Sequence, residues 1–430
     1  MRANAPRDVT LSTTTPTLEH PLPAGMRDLL PPEASLRRAI ARAFLGRAEL
    51  FGYDVVMPPV FEYAHTIERG LGTLDPREIV RFVEPETGEV VALRPDVTPQ
   101  IARLVTTRFE GKPPPYRLAY DASVLRRRAG SRARTHRQIS QLGVELIGIA
   151  PLDGDLELLV LAATALDTMG LHAFTIDLGH AEIARSLLAD LEPSLAAQMA
   201  DALAKKDVAM IERLAEGLPA RDALVALPAI HGDPSVLDQL PAALSQGPVN
   251  AAIADLRGLV GRLKQSLADE GVKGVTLSVD LSEVRGLAYY TGPFYQFFAE
   301  GPGVAIGAGG RYDQLLARFS AALALPASGL ALDVDALMWA LRLAEAKVLE
   351  RPRRVVVTGV GAEVFARSLR AHGITGAIVR NESDAAAYAR AWGFASIARV
   401  TPEGVVISDL DGEAGSALAP EAAIARLSSV

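Results

Sequence analysis

An Ala- and Leu-rich stretch from about residue 180 to residue 268 is the feature that most limits how this chain can fold. Its apolar spacing, interrupted by Pro and Gly, predicts helices, and short runs typical of strands lie on both sides of it. Helices inserted between two halves of a strand-rich domain indicate an α+β fold. We therefore predict one domain over residues 21–349 that contains a helical insertion at about 180–268.

The strand-rich stretches contain recognisable elements. Apolar residues at Leu36, Ile40 and Phe44 follow Pro31 and Pro32, which predicts a helix that Gly52 closes. Further helices are predicted at about residues 99–109, 155–169 and 334–349. Strands are predicted at residues 53–57, 79–84, 90–94, 116–125, 139–147, 275–279, 287–300 and 303–306.

The two ends of the chain differ from this domain. Residues 1–20 are polar, Thr-rich and aperiodic, which predicts a disordered tail. Residues 350–430 alternate strand-like and helix-like runs, which predicts a small α/β domain. Within it, Gly359 to Val364 resembles a dinucleotide-binding turn, but Val364 takes the place of the third glycine. A tight strand-to-helix turn is the interpretation that we adopt.

Composition excludes several functions. The 430 residues include no cysteine, and the seven histidines are scattered, so neither a disulfide nor a local metal motif is expected. No apolar run is long enough for a membrane helix, and the N-terminus lacks a signal-peptide pattern, which predicts a cytoplasmic protein. A net charge of -7 argues against nucleic acid as the main partner. No cofactor is expected.

ArgGlyLeuAlaTyrTyrThrGly, from Arg285 to Gly292, combines a cation with two phenolic hydroxyls. If it forms a strand, Arg285 and Tyr289 share one face and Tyr290 occupies the other. An arginine fork suits a carboxylate, and a buried tyrosine needs a polar partner that a ligand can provide. A structural ion pair beside two core tyrosines would produce the same pattern.

Two other segments carry polar residues with two interpretations each. Asp96 and Thr98 lie before Pro99 at a predicted helix start, where they are typical capping residues as well as possible ligand contacts. Gln141 and Glu145 are four residues apart on a predicted strand and therefore share one face, which can be solvated or can line a site.

The stretch from Arg126 to Arg137 is the most basic in the chain. It could bind phosphates or RNA, could dock on an acidic partner, or could be a solvated hairpin tip. Gly307 to Gly310, followed by Arg311, is predicted to be a glycine-rich turn, and it lacks the lysine and serine of a phosphate-binding P-loop.

Taken in order, these segments resemble the histidyl-tRNA synthetase family over about residues 21–337. The resemblance implies a class II aminoacyl-tRNA synthetase-like antiparallel sheet core, with a homodimer interface at the region that matches motif 1. In that family the residues matching Asp96, Thr98 and Gln141 hold the amino group of histidine. Those matching Glu145 and Tyr290 contact the imidazole, Arg285 faces the carboxylate, and Arg126 contacts the ATP α-phosphate. The implied histidine site comprises Asp96, Thr98, Arg126, Gln141, Glu145, Arg285, Tyr289 and Tyr290.

The departures from the family pattern point to another function. Ala336 stands where motif 3 carries an ATP-binding arginine, and Asp333 replaces a glycine. Losing an arginine contact to phosphate removes a bond worth roughly 1.5 to 3 kcal/mol. The loop after Arg126 lacks the family's ExPQ, and Ala288 replaces an acidic residue. No catalytic residue is therefore expected. Residues 351–430 resemble a reduced anticodon-binding domain, but they contain no lysine.

This combination resembles the regulatory-subunit family of ATP phosphoribosyltransferase, the first enzyme of histidine biosynthesis. The resemblance implies a non-catalytic chain that pairs with a short-form catalytic subunit, commonly as a hetero-octamer, with histidine as effector. An active histidyl-tRNA synthetase and a stand-alone amino-acid-binding or RNA-binding paralogue are the alternatives.

Overall fold

The computed structural model describes residues 22–71, 78–127, 136–284, 290–346, 353–410 and 415–428. These residues divide into two compact units, one within Met1–Leu349 and one within Glu350–Val430. The predicted tail at residues 1–20 lies outside the described residues.

The first unit contains ten helices and twelve strands among its described residues. The helices are α1 Glu33–Leu50, α2 Ala64–Gly70, α3 Thr98–Arg108, α4 Asp153–Thr168, α5 Ala181–Leu188, α6 Pro193–Ala204, α7 Val208–Leu214, α8 Arg221–Ala226, α9 Gly247–Asp269 and α10 Val334–Leu343. The strands are β1 Asp54–Val55, β2 Phe61–Tyr63, β3 Arg81–Val83, β4 Val90–Leu93, β5 Tyr116–Leu125, β6 Gln138–Ile147, β7 Phe174–His180, β8 His231–Gly232, β9 Val275–Asp280, β10 Pro293–Phe298, β11 Gly307–Arg311 and β12 Ala327–Asp333.

A nine-stranded sheet organises this unit, in the order β1-β5-β6-β12-β11-β10-β7-β9-β8. Within the six strands from β5 to β7 in that order, every neighbouring pair is antiparallel. β1 runs parallel to β5, and β9 runs parallel to β7. A separate small sheet has the order β2-β4-β3. The predicted antiparallel core is confirmed.

Residues of β6 alternate between the two faces of the large sheet. Leu142, Val144 and Leu146 belong to an apolar core that also contains residues of α1, α4, α9 and α10. We call this side the helix face. Ile139 and Ile147 belong to a smaller core that includes residues of α3 and β5. The sheet therefore separates two cores, and the second side, which we call the cavity face, is only partly filled by apolar groups.

The helices α5 to α9 lie between β7 and β9 in the chain, and we call this segment the insertion. The long helix α9 buries one apolar stripe that includes Ile253, Leu256, Leu259 and Leu263. The insertion also supplies β8, a two-residue strand that pairs with β9 at the sheet edge. Its helices and the central sheet thus share one continuous core.

Three predictions in the second half of this domain are wrong. Of the strand predicted at residues 287–300, residues 290–292 form no strand and β10 covers Pro293–Phe298, while residues 287–289 lie outside the described residues; residues 303–306 form no strand, and the predicted turn at Gly307 to Gly310 is the strand β11. Glycine fits β11 because a Cβ at Gly310 would lie 2.7 Å from the Cβ of Phe294. Close packing against neighbouring strands, and not a turn, accounts for this glycine run.

The second unit contains β13 Arg354–Gly359, α11 Ala362–Ala371, β14 Thr375–Ile378, α12 Glu382–Trp392, β15 Ser396–Thr401, β16 Gly404–Asp409 and α13 Pro420–Ser428. Its sheet has the order β14-β13-β15-β16, with β14 and β15 parallel to β13. Gly359 and Gly361 adopt φ values of 92° and 88°. This left-handed backbone, which glycine tolerates best, forms the tight strand-to-helix turn. No described helix in either unit is long and apolar enough to cross a membrane.

Candidate ligand-binding site

A cavity of about 270 Å³ opens on the cavity face of the large sheet. This volume is close to the lower end of small-molecule pockets, which begin at about 300 Å³. Its polar side chains come from six separate parts of the chain. They are Asp96, Thr98, Arg126, Gln141, Tyr290, Tyr312 and Asp333. The rest of the wall is largely the glycine- and alanine-rich backbone of β11 and β12.

The segment before α3 brings two of these groups to the cavity. The Asp96 carboxylate accepts the backbone N–H of Val97 at 2.7 Å, so it stabilises the turn that leads into the helix. Thr98 is not a capping residue, contrary to the prediction, because its hydroxyl donates to Glu145 Oε1 at 2.7 Å. The local sequence forms the helix start, and a tertiary contact takes the hydroxyl of Thr98.

Glu145 on β6 is a fully buried carboxyl group directly behind this segment. Its Oε1 accepts from Thr98 and, at 3.5 Å, from the hydroxyl of Tyr120, whereas Oε2 has no hydrogen-bond partner among the described residues. Gly329 pairs with Glu145 on the neighbouring strand, and any Cβ there would overlap Oε2. Burial raises the pKa of Glu145 well above its usual range, and the nearby Asp96 raises it further.

Gln141 and Tyr290 form another part of the wall. Within the part of the chain that the structure describes, the buried Oε1 atom of Gln141 has no hydrogen-bond partner, so this side chain retains an acceptor there. The Tyr290 ring stacks on Phe294, with centroids 5.8 Å apart and an interplanar angle of 16°. Burial raises the pKa of the Tyr290 hydroxyl, and Asp96 and Glu145 raise it further, so the phenol stays protonated.

Arg126 is the cation on the wall. Its Nε lies 3.4 Å from the carbonyl oxygen of Pro95, and its charge lowers the pKa of Asp96 against a larger increase from burial. Arg126 and Asp96 thus present a positive and a negative group to the same cavity. A zwitterion is the kind of ligand that such a wall fits, because each of its charges finds an opposite one.

A second cavity of about 230 Å³ shares Ile139 and Asp333 with the first one. Asp333 caps α10, because its Oδ1 accepts the backbone N–H groups of Asp335 and Ala336 at 3.1 and 3.2 Å. Asp335 forms an ion pair with Arg27 at 2.5 Å. Three carboxylates therefore line this second cavity together with three basic side chains, and the chain has alanine at position 336; the carboxylates are Glu33, Asp333 and Asp335, and the basic residues are Arg27, His136 and Arg342.

Of the eight predicted site residues, Asp96, Thr98, Arg126, Gln141 and Tyr290 line the first cavity. Glu145 lies behind Thr98 and does not line it. Arg285 and Tyr289 lie outside the described residues, as does the greater part of the basic stretch, residues 128–135. Tyr290 precedes β10 and is not on a strand, so the predicted alternation of faces does not apply to it.

Sequence reasoning missed Tyr120, Tyr312 and Gly329. The signal for two of them is cross-strand pairing: Tyr120 is opposite Gly143, where a Cβ would overlap its ring, and Gly329 is opposite Glu145. A bulky polar residue opposite a glycine on the neighbouring strand indicates where a side chain crosses the sheet face. The strand register needed for this inference was not available from the sequence.

The acceptors on the wall favour a ligand rich in N–H groups. Gln141 Oε1 is unused, Thr98 has lone pairs left after donating to Glu145, and Asp96 adds a carboxylate. Within the described residues, no group of three or more His, Asp or Glu side chains is arranged to hold a metal ion.

Comparisons with known proteins agree with this architecture. Residues 25–337 match the family model of histidyl-tRNA synthetase. The ATP phosphoribosyltransferase regulatory subunit of Geobacter sulfurreducens is 34% identical over 389 residues, covering 87% of this chain and 86% of that protein. The protein of the same name from Anaeromyxobacter sp. strain Fw109-5 is 40% identical over 345 residues, covering 78% and 98%.

Solved structures show the same likeness. The crystal structure of an ATP phosphoribosyltransferase regulatory subunit/histidyl-tRNA synthetase from Bacillus halodurans C has a TM-score of 0.75 at 26% identity, covering 90% of this chain and 99% of that one. Histidyl-tRNA synthetase from Nostoc sp. PCC 7120 has a TM-score of 0.77 at 18% identity, covering 97% and 99%. The fold is therefore that of class II histidyl-tRNA synthetases.

Proposed function

This chain belongs to the family of ATP phosphoribosyltransferase regulatory subunits, and we propose that it is a non-catalytic subunit that activates a short-form catalytic chain and senses histidine. The observation that carries the proposal is the cavity: it has the size and polarity for one amino acid, while carboxylates and Ala336 occupy the adjoining end. In this proposal the site keeps amino-acid binding without adenylation.

Histidine is the ligand that we propose for the first cavity. Its ammonium group suits Asp96, Thr98 and Gln141, whose acceptor atoms line one wall. Its imidazole would contact Tyr290, while Glu145 supplies negative charge behind Thr98. Ionised Glu145 would stabilise an imidazolium, because opposite charges attract strongly in a buried site.

Adenylation requires ATP beside the amino acid, and the second cavity disfavours it. Glu33, Asp333 and Asp335 carry negative charge where a triphosphate would need cations that are not already paired. The guanidinium groups of Arg27 and Arg342 are paired with Asp335 and Glu33, and position 336 offers only a methyl group. We therefore propose that histidine remains unmodified in the cavity and acts as an effector.

Self-association is proposed at the surface around β2. Met57, Val60, Phe61 and Tyr63 are large apolar side chains that are 88, 58, 43 and 46% exposed. A contiguous exposed apolar patch is typical of a protein interface. This region also carries the resemblance to motif 1, so we assign it to a homodimer within the hetero-octamer that contains the catalytic subunits.

The test is reconstitution with the short-form ATP phosphoribosyltransferase from the same genome. We expect the two chains to co-purify, the catalytic chain to need this subunit for full activity, and added histidine to inhibit phosphoribosyl transfer by the complex. Failure of the catalytic chain to bind or respond would contradict the proposal.

A histidyl-tRNA synthetase is the second candidate, because the Bacillus halodurans structure carries both names. The two functions differ in one assay. Histidine-dependent exchange of pyrophosphate into ATP by the purified chain would establish synthetase chemistry and rule out the non-catalytic assignment. We expect no exchange above the level without histidine.

A further inference from the structure

The wall of the first cavity is fixed by a residue of the helical insertion. Arg185 lies on α5, the first helix of that insertion, and its Nη2 atom donates a hydrogen bond to the backbone carbonyl oxygen of Tyr290. Tyr290 is a wall residue of the cavity. A side chain from the insertion therefore contacts the backbone of the site directly.

Arg185 is itself held in place by its own helix. Its Nη1 donates to Glu182 Oε2 at 3.0 Å, and Glu182 Oε1 accepts from the hydroxyl of Ser186 at 2.7 Å. The backbone N–H of Glu182 donates to Nδ1 of His180, which caps α5. These bonds orient the guanidinium before it reaches Tyr290, so the contact originates from a defined position on the insertion.

The segment that receives this contact is held from two sides. The N–H of Ala181, at the start of α5, donates to the carbonyl oxygen of Gly292 at 3.0 Å. On the other side, the N–H of Thr291 donates to the carbonyl oxygen of Arg311 at 2.7 Å. Since β10 begins only at Pro293, residues 290–292 depend on these tertiary bonds for their conformation.

We propose that Arg185 is a positioning residue through which the helical insertion sets the shape, and hence the affinity, of the cavity. The inference rests on the proposed histidine site for its functional readout. Losing the bond frees the Tyr290 carbonyl and allows its ring to leave the stack on Phe294, which widens the cavity. Movement of α5 would change the affinity in the same way, because coupling between two sites works in both directions.

The experiment compares Arg185→Ala, Arg185→Lys and a control, Arg213→Ala, in the full chain. Arg213 is an exposed arginine on α7 of the same insertion and does not contact the cavity. We expect Arg185→Ala to weaken histidine binding, measured by calorimetry, by about threefold to tenfold, the effect of one lost hydrogen bond. Arg185→Lys should recover part of the loss, and Arg213→Ala should bind like wild type.

Hydrogen exchange provides a readout that needs no ligand. The amide of Thr291 should exchange faster in Arg185→Ala, while amides of β13 in the second unit should not change. If Arg185→Ala strongly lowers the melting temperature, the experiment uses Glu182→Gln instead. This variant weakens the contact that orients the Arg185 guanidinium, while Arg185 keeps its charge.

The outcomes separate the inference from the proposed function. Wild type that fails to bind histidine contradicts the proposed site, and faster exchange at Thr291 in the variant would still support the positioning role. Unchanged exchange at Thr291 together with unchanged histidine affinity would overturn the role of Arg185. Equal losses in Arg185→Ala and Arg213→Ala would also overturn it, because the effect would then be a general property of the insertion.

Discussion

Along the ten residues of strand β6, alternate side chains face opposite sides of the sheet, and the two sides differ in chemistry. On the helix face, Leu142, Val144 and Leu146 are packed in the main core with almost no exposed surface. On the cavity face, Gln141 and Glu145 each bury an oxygen for which the described residues provide no hydrogen-bond partner. Alternation along one strand thus places stabilising and destabilising side chains next to each other in the sequence.

The difference has a physical meaning for function. Burying a leucine or valine contributes roughly 1.5 to 3 kcal/mol to folding, whereas a buried polar atom without a partner costs about 1 to 3 kcal/mol. The helix face therefore offsets the cost of the polar oxygens buried on the cavity face. A site of this kind is expected where binding, and not only folding, determines which residues are present.

The largest effect is expected on the helix face. Leu142→Ala should lower the free energy of unfolding by about 2 to 5 kcal/mol, because it removes a fully buried side chain and leaves a void. Histidine affinity of the molecules that stay folded should hardly change. Urea denaturation and calorimetry measure the two quantities. Leu50→Ala, at a position 77% exposed, is the control and should fall within about 0.5 kcal/mol of wild type. Equal losses of unfolding free energy in Leu142→Ala and Leu50→Ala would mean that packing on the helix face does not determine the stability.

On the cavity face, Glu145→Gln should mainly weaken histidine binding, whereas Leu142→Ala should mainly lower the free energy of unfolding. Glutamine keeps the shape but cannot ionise, so histidine binding should weaken by about tenfold to a hundredfold through the loss of a charged interaction worth roughly 1.5 to 3 kcal/mol. In the reconstituted complex, the inhibition curve should move to higher histidine while activity without histidine is retained. If histidine inhibits the variant and wild type alike, the effector acts at another place in the assembly.

Gly329→Ala tests the contact between the faces of neighbouring strands. The new methyl group would overlap Glu145 Oε2 and force that carboxyl to move, at a cost of about 1 to 3 kcal/mol in stability, with a parallel loss of histidine affinity. Gly46→Ala is the matched control on α1, where a Cβ has open space and alanine should stabilise by about 0.5 to 1 kcal/mol. Normal histidine binding by Gly329→Ala would show that Glu145 can move without consequence.

Much of the fold was accessible from the sequence because its elements carry periodic signals. The helix at residues 33–50 and the strand at residues 116–125 follow from apolar spacing and from the Pro and Gly that bound them. The glycine run at residues 307–310 was assigned wrongly, since glycine in a turn and glycine under a neighbouring strand are identical in sequence. Local composition cannot separate them, because the distinction depends on which strands become neighbours.

The polar residues of the site could be predicted from the sequence, but the contacts between them could not. Asp96, Thr98 and Gln141 do line one cavity, yet the bond that joins Thr98 to Glu145 spans 47 residues of chain, and no spacing indicates it. Arg185 carried no signal at all, since an arginine on an amphipathic helix is ordinarily solvated. Tertiary contacts of this kind became visible only when the register of the sheet was known.

The last prediction concerns the effect of each unit of pH, which is small and depends on a single proton on the cavity face. In the unfolded chain Glu145 has its ordinary pKa of 4.5, and burial raises the pKa in the folded chain. Between these two values the folded chain holds a proton that the unfolded chain has lost, so raising the pH favours unfolding. The free energy of unfolding of wild type minus that of Glu145→Gln should therefore fall as the pH rises from about 5, by at most about 1.4 kcal/mol per pH unit.

Denaturant titrations of both proteins between pH 5 and 8 measure this difference, and Leu142→Ala should keep the wild-type slope because it leaves Glu145 untouched. Saturating histidine should flatten the slope, since a bound imidazolium would stabilise the ionised carboxylate. A difference that stays constant with pH would mean that Glu145 is already ionised in the empty cavity, and the contrast between the faces would then be one of packing alone.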